Sequence, residues 1–334
     1  MISPTRPLFP PQIRCVGVFA LSYLPDEARL AAGVRILEER FGVRVKVRVP
    51  PEPGPRRMAG FDDERAACFN DLVQDPEVDG LVAARGGYGA TRVLERIDFA
   101  ALKDSGKFVC GYSDTTALLL AAWKHGCTRL YHGPMATSSS DCPQEWEAFA
   151  ELLGEDGYIV PPGQQAAVLK SGCVDGILVP MNFSMLQALL GTPWMPCLDN
   201  AILCLEDIGE PAHDIDRKLR QLRQCGILER LGGLLFGQFG ECENDAWLPE
   251  IEREYGRFVK GPVAAGLPFG HLHPSIPLPL GACARVVCGQ GEATVIWGKG
   301  LGVGNGNWAA PGTAADFPSR HTHVDRSGLQ LRFD

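Results

Sequence analysis

The sequence predicts an α/β protein with a parallel, doubly wound sheet in its first half and a smaller, strand-rich α+β unit in its second. Three observations carry this prediction. Up to about residue 138, short apolar runs alternate with helical patterns, the order that builds βαβ units. Several of these runs end in glycines, at Gly86-Gly87 and at Gly111. Beyond about residue 166 the strand-like runs are shorter, and fewer helical patterns separate them.

Cys15–Leu21 is a short apolar run, and Asp26–Phe41 has helical spacing at Leu30, Val34, Ile36 and Leu37. Val43–Val49 alternates at period two, as a half-buried strand does. Asp62–Asp75 reads as a helix with Ala66, Ala67, Phe69 and Leu72 on one side. Gly80–Ala84 is a strand, Thr91–Ile97 helical, Phe108–Tyr112 a strand and Asp114–Lys124 a strongly apolar helix. A loop at Ser138–Pro143 and a helix over Gln144–Leu153 follow, and the Gly/Pro-rich stretch Gly154–Gln165 suits a linker. Further strands are expected at Ala167–Leu169, Val174–Leu178, Ala201–Glu206, Gly233–Gly237, Ala284–Val287 and Ala293–Trp297, with helices at Phe183–Leu190 and Asp216–Cys225. The division this suggests is 1–154, 166–297 and a tail over 298–334, whose glycines recur at every second residue from 298 to 306. That array lacks the spacing of a dinucleotide fingerprint and reads as a loop.

Composition narrows the function classes. Of 334 residues, 45% are hydrophobic and 22% charged, with a net charge of -8. These are globular proportions, and the acidic balance offers no footprint for nucleic acid or an anionic membrane surface. No apolar stretch approaches the roughly 20 residues of a membrane helix, and the proline-rich start lacks a signal-peptide core, so a cytoplasmic location is expected. The 12 cysteines are scattered singly, without a Cys-x-x-Cys pair, and are expected as free thiols filling the core.

Four segments could carry chemistry. Gly111-Tyr112-Ser113-Asp114-Thr115-Thr116 stands between an apolar strand and an apolar helix. A serine on such a tight turn is lifted clear of the sheet near a helix N-terminus, where the Asp114 amide can face developing negative charge. The other reading of Ser113 or Asp114 is a helix cap. In Arg85-Gly86-Gly87-Tyr88-Gly89-Ala90, three glycines within four residues let backbone amides approach an anion or an oxyanion, or simply make a tight turn. The strand Ile202–Leu205 runs into Glu206, Asp207 and Glu210, any of which could orient a histidine or cap a helix. Gly270-His271-Leu272-His273-Pro274 offers two histidines in a rigid loop. No carboxylate cluster completes a metal site around them or around His321 and His323, so no metal is expected. Serine, acid, histidine is one workable chain order for a hydrolytic triad.

These motifs, with Asp75-Pro76-Glu77-Val78-Asp79-Gly80, His132-Gly133-Pro134, Leu190-Gly191-Thr192-Pro193 and Leu278-Pro279-Leu280-Gly281, resemble the LD-carboxypeptidase family of serine peptidases from about residue 60 to about 285. The resemblance implies a flavodoxin-like or amidotransferase-like N-terminal domain, a β-rich swivelling C-terminal domain and a homodimer with the site between domains. It implies Ser113 as nucleophile, Glu206 as the residue orienting the base, and His271 as base. The amides of Gly87 and Asp114 would form the oxyanion hole, with Tyr88 and Asn182 on the substrate side. The implied substrate is murein tetrapeptide, losing its terminal D-alanine without cofactor or metal during cell-wall recycling. A peptide–nucleotide antibiotic is the substrate of an alternative within the family, and a non-catalytic ligand-binding module is the alternative outside it.

Overall fold

The computed structural model describes residues 9–138, 142–154 and 157–298. In chain order the first elements are β1 (Cys15–Phe19), α1 (Glu27–Phe41), β2 (Arg44–Arg48), α2 (Asp62–Gln74), β3 (Gly80–Ala83), α3 (Phe99–Ser105), β4 (Phe108–Gly111), α4 (Thr116–Lys124), β5 (Leu130–His132) and α5 (Pro143–Gly154). Next come β6 (Gly157–Val160), β7 (Ala167–Lys170), β8 (Gly172–Asn182), α6 (Phe183–Leu189), β9 (Ala201–Ile208), α7 (Ala212–Gln224) and β10 (Gly233–Gly240). The last are α8 (Leu248–Gly256), β11 (Val263–Ala265), β12 (Leu278–Leu280), β13 (Ala282–Gly289) and β14 (Glu292–Trp297).

Local chemistry sets the helix ends. Asp26 starts α1 by accepting the Arg29 amide at 2.9 Å, and Gly42 ends it at φ 69°. Gly33, Leu37 and Phe41, four residues apart, are its buried stripe. Glu64 accepts the Phe61 amide at 2.8 Å at the start of α2. The inward face of α2 differs from expectation: Ala67 is exposed, whereas Arg65 is fully buried. Arg65 is tolerated there because its guanidinium donates to Gly60 O at 3.0 Å and Asp62 at 2.7 Å.

The first sheet has the order β12-β5-β4-β3-β1-β2. Its sequential strands β1–β5 are parallel, and β12 is antiparallel to β5. Because β1 lies between β2 and β3, the connections turn opposite ways on its two sides. In such sheets the crevice beyond the strand C-termini at this switch receives ligands. The loops after β1, β3 and β4 all open there.

The second sheet has the order β6-β14-β13-β8-β9-β10-β11-β7, parallel from β8 to β11 and antiparallel outside. One apolar core joins the sheets, with Leu118 and Leu119 of α4 in the same cluster as Val179, Met181 and Phe183. The two sheets are also tied by the chain itself. After β11 it crosses to the first sheet as β12, turns at Gly281 (φ 81°) and re-enters the second sheet as β13.

Several expectations are corrected. Thr91–Ile97 forms two 3₁₀ turns, Ala90–Arg92 and Leu94–Arg96, rather than a helix. The α-helix starts later, where Asp98 accepts the Ala101 amide at 2.9 Å. The Gly154–Gln165 linker contains β6, whose Val160 pairs with Val295. Strands β5, β11 and β12, each three residues, and the charged helix α8 add to the predicted set. All 12 cysteines are free, but only Cys15, Cys110, Cys127, Cys142, Cys204 and Cys288 are buried, and Cys173, Cys197 and Cys225 are exposed. The tail's glycine array lies outside the described residues after Gly298. Among the described residues no helix is long and apolar enough to cross a membrane.

Candidate active site

The buried strand β4 ends at Gly111, where a Cβ would lie 2.8 Å from the Cβ of Ala83 on β3. Ser113 then adopts φ 60° and opens a 3₁₀ turn, Ser113–Thr115, that runs into α4. A non-glycine residue in the left-handed region is strained by about 1–2 kcal/mol, so its surroundings must hold it there. Asp114 does so. Its side chain is 2% exposed, and Oδ2 accepts Ser22 Oγ at 2.6 Å and the Ala90 amide at 2.8 Å. Burial raises the Asp114 pKa, and the two hydrogen bonds and Arg65 oppose that rise. The first internal bond of the turn is donated by Thr115, to Tyr112 O at 3.2 Å. The Asp114 amide therefore belongs to the leading N–H groups that such a turn does not use internally.

The glycine loop after β3 packs onto this turn. A Cβ on Gly86 would lie 2.8 Å from Ser113 Cβ and 2.9 Å from its Oγ. Only glycine lets that backbone sit against the serine. Gly87, at φ 127°, packs against the Tyr23 ring, which a Cβ would approach to 2.4 Å.

The second sheet supplies a carboxylate and a histidine. Glu206, near the C-terminal end of β9, is fully buried, and its Oε2 lies 2.6 Å from His271 Nδ1. Its Oε1 receives Asn182 Nδ2 at 3.3 Å and faces His132 Nε2 at 3.4 Å. Burial alone would raise this carboxyl's pKa. The hydrogen bonds and charge of His132 and His271 outweigh burial and hold it down at about 2. With Nδ1 donating to the carboxylate, Nε2 is the acceptor nitrogen of His271, as a general base requires. The Tyr112 ring meets the His271 ring edge-on at 4.9 Å. Gly270, at φ 137°, brings the loop close, since a Cβ there would stand 3.1 Å from Glu206 Cβ.

The neighbouring histidine is separated from this pair. His273 Nδ1 lies 2.7 Å from Oε1 of Glu145 on α5, and that oxygen also accepts the Ser275 amide at 2.6 Å. Cys142 joins Glu145 and His273 in the one group among the described residues whose ligand-type atoms lie within 4.8 Å of one another. The engaged Oε1 gives Glu145 a task without a metal: anchoring the loop that carries His271.

Ser113, His271, Gly86 and Gly87 line one cavity of about 330 Å³, with Arg29, Arg85, Tyr112 and His273 also on its walls. Cavities of about 540 and 600 Å³ elsewhere contain neither Ser113 nor His271. Of these three, the smaller cavity is the one that brings Ser113 and His271 to a common wall. Tyr88 is 41% exposed and does not line it. Asn182 stands behind Glu206, 4% exposed, with Nδ2 also on Asp207 at 2.9 Å and Oδ1 capping α6. Its place is that of a support for the carboxylate. Sequence reasoning gave no role to His132, Ser22 or Glu145. His132 ends an apolar strand inside a quoted motif, which was the available signal. Ser22 and Glu145 had none, because their partners are 92 and 128–130 residues away.

Both halves of the chain are similar to known proteins. Residues 16–133 match the LD-carboxypeptidase N-terminal domain, and residues 175–286 match the LD-carboxypeptidase C-terminal domain. The "Probable murein peptide carboxypeptidase" of Bacillus subtilis is 31% identical over 297 residues, covering 86% of this chain and 93% of that protein. A muramoyltetrapeptide carboxypeptidase crystal structure from Oxalobacter formigenes superposes with a TM-score of 0.76 at 30% identity, over 85% of this chain and 99% of that one. The microcin C7 self-immunity protein MccF of Escherichia coli is 27% identical over 258 residues, covering 67% of this chain and 75% of that protein.

Proposed function

From the premise that the chain belongs to the LD-carboxypeptidase family of serine-type hydrolases, we propose that it removes the terminal D-alanine of murein tetrapeptide during peptidoglycan recycling. The observation that carries the mechanism is the Glu206–His271 contact of 2.6 Å beside a left-handed Ser113 in a shared cavity. In this mechanism His271 Nε2 takes the Ser113 proton as Oγ attacks the carbonyl preceding the D-residue. The tetrahedral oxyanion rests on the amides of Gly87 and Asp114. His271 then protonates the leaving amine, and water, deprotonated by the same nitrogen, releases the acyl group. Glu206 holds the ring in the required tautomer and balances the imidazolium that forms. The expected result for Ser113→Ala is loss of D-alanine release from the tetrapeptide; unchanged release refutes the assignment.

The proposal also takes 1–154 as the nucleophile domain and 166–297 as the domain of acid and base, followed by the 298–334 tail. Support comes from where the elements fall: α5 ends at Gly154, and β7–β11, β13 and β14 all belong to the second sheet. The family resemblance supports a homodimer, and a cytoplasmic location is proposed beside it. Light scattering and cell fractionation test them separately. The similarity to MccF favours one second reading, hydrolysis of a peptide–nucleotide antibiotic for self-immunity. Parallel assays of that conjugate and the tetrapeptide separate the two.

A further inference from the structure

We propose that Arg85 reads the free carboxylate of the departing residue and so makes the enzyme an exopeptidase; this rests on the carboxypeptidase reading above. Arg85 lines the same cavity as Ser113 and His271. It directly precedes Gly86, the residue whose backbone lies against Ser113 Oγ. Its guanidinium is held in place without being neutralised. Nε donates to Gly86 O at 3.1 Å, NH1 reaches Leu24 O at 3.5 Å, and the group lies 5.5 Å from the Tyr23 ring centroid.

Three arginines on the neighbouring segment, Arg65, Arg92 and Arg96, are paired. Arg65 and Arg92 both meet Asp62 at 2.7 Å, and Arg96 meets Asp63 at 2.5 Å. Among the described residues no carboxylate lies within ion-pair distance of Arg85, and its NH2 end has no hydrogen-bond partner. Arg29, on the same cavity wall, adds a second positive charge and donates Nε to Thr137 O at 3.3 Å. Asp26 lines the same cavity, with Oδ1 accepting the Arg29 amide at 2.9 Å as the cap of α1.

A half-buried cation without a counter-ion favours an anionic ligand. In a peptide whose last residue is being released, the terminal carboxylate carbon is three bonds from the scissile carbonyl carbon. An arginine anchored one residue from the backbone that touches the nucleophile is within reach of it. The planar fork also matches a carboxylate, which can accept two parallel N–H bonds, better than it matches an amide. Selectivity for a chain end, rather than an internal bond, follows from that difference.

The test compares murein tetrapeptide ending in D-alanine with the same peptide ending in D-alaninamide. Binding is measured calorimetrically in a Ser113→Ala background, and D-alanine release is measured separately with the unmodified enzyme. The free acid should bind about 10- to 100-fold tighter than the amide. Adding Arg85→Met should bring the two within about twofold while amide affinity stays unchanged. Equal binding of acid and amide in Ser113→Ala, or a preference that survives Arg85→Met, overturns the proposal. If Arg85→Met binds neither peptide, Arg85→Lys decides: a reduced preference with unchanged amide affinity supports the role, and a full preference overturns it. Absence of D-alanine release by the unmodified enzyme would instead overturn the underlying carboxypeptidase reading.

Discussion

The carboxylate of Asp114 accepts the backbone amide of Ala90 at 2.8 Å, locking the turn of Ser113 to the end of the glycine loop. The same oxygen takes the hydroxyl of Ser22 at 2.6 Å, so one buried side chain gathers the loops after β1, β3 and β4. Asp114→Ala removes the acceptor from both donors. Unfolding in urea should show a loss of about 2–4 kcal/mol. The activity should fall by about 10²-fold, because Ser113 loses what holds its left-handed backbone. Wild-type values for both quantities would contradict this role.

Gly86→Ala places a methyl group where Ser113 Cβ and Oγ already stand, at 2.8 and 2.9 Å. Catalysis should drop by at least about 10²-fold while far-UV circular dichroism stays native. Gly106→Ala is the control. Its own φ is left-handed, at 63°, and nothing lies within 4 Å of the added atom, so it should cost about 1 kcal/mol of stability and no activity.

The two histidines should separate cleanly in kinetics. His271→Ala removes the group paired with Glu206 and should lower kcat by about 10²–10⁴-fold. His273→Ala breaks the contact with Glu145 and leaves the Glu206–His271 pair intact, so it should lower kcat by less than about tenfold. The reverse order would make His273 the base.

Glu206 also predicts a pH dependence of stability. Its carboxyl sits at about 2 in the folded protein, against an ordinary value of 4.5. Between those values the unfolded chain holds a proton that the native state lacks, so stability rises with pH across that window. The contribution is complete above about 4.5 and is lost as the pH falls toward 2. Urea midpoints between pH 2 and 5 should climb more steeply for wild type than for Glu206→Gln. Parallel slopes would contradict the assignment.

Far from the site, Lys107 Nζ donates to Leu72 O at 2.8 Å, Val73 O at 2.6 Å and Asp75 O at 2.6 Å, closing the C-terminal end of α2. Lys107→Met strands these carbonyls and should cost about 2–4 kcal/mol in a urea titration, with kcat unchanged.

The parts of the molecule legible in sequence are those in which local pattern and final structure agree. The runs of β1, β3 and β4 are apolar throughout because both faces of a central parallel strand are covered. The glycines at 86, 87 and 111 stand out because close backbone approach excludes a side chain. Ser113 stands out from its setting at a turn, whereas the choice of Glu206 among three acidic residues and of His271 over His273 rests on the family resemblance. Non-local pairing was hidden. Strands β5, β11 and β12 are three residues each, too short for a periodic signal, and exist because neighbouring strands complete them. Asn182 looked like a substrate contact, yet a buried carboxylate needs donors and Asn182 supplies one. Arg65 interrupts an apolar face because the backbone turn it braces lies inside the protein.

The path of β12 has a consequence for how this enzyme can be taken apart. The nucleophile's sheet owes its outermost strand to residues 278–280, and the loop just before that strand carries His271. A fragment ending at residue 154 would retain Ser113 but leave β5 as a bare edge, open to pairing with another chain. The complementary fragment would retain Glu206 and His271 but would lack α5, whose Glu145 fastens the base's loop. The seam where the two halves are stitched together is thus the same stretch that delivers the proposed base, so on this reading assembly of the proposed catalytic group is conditional on completion of the fold.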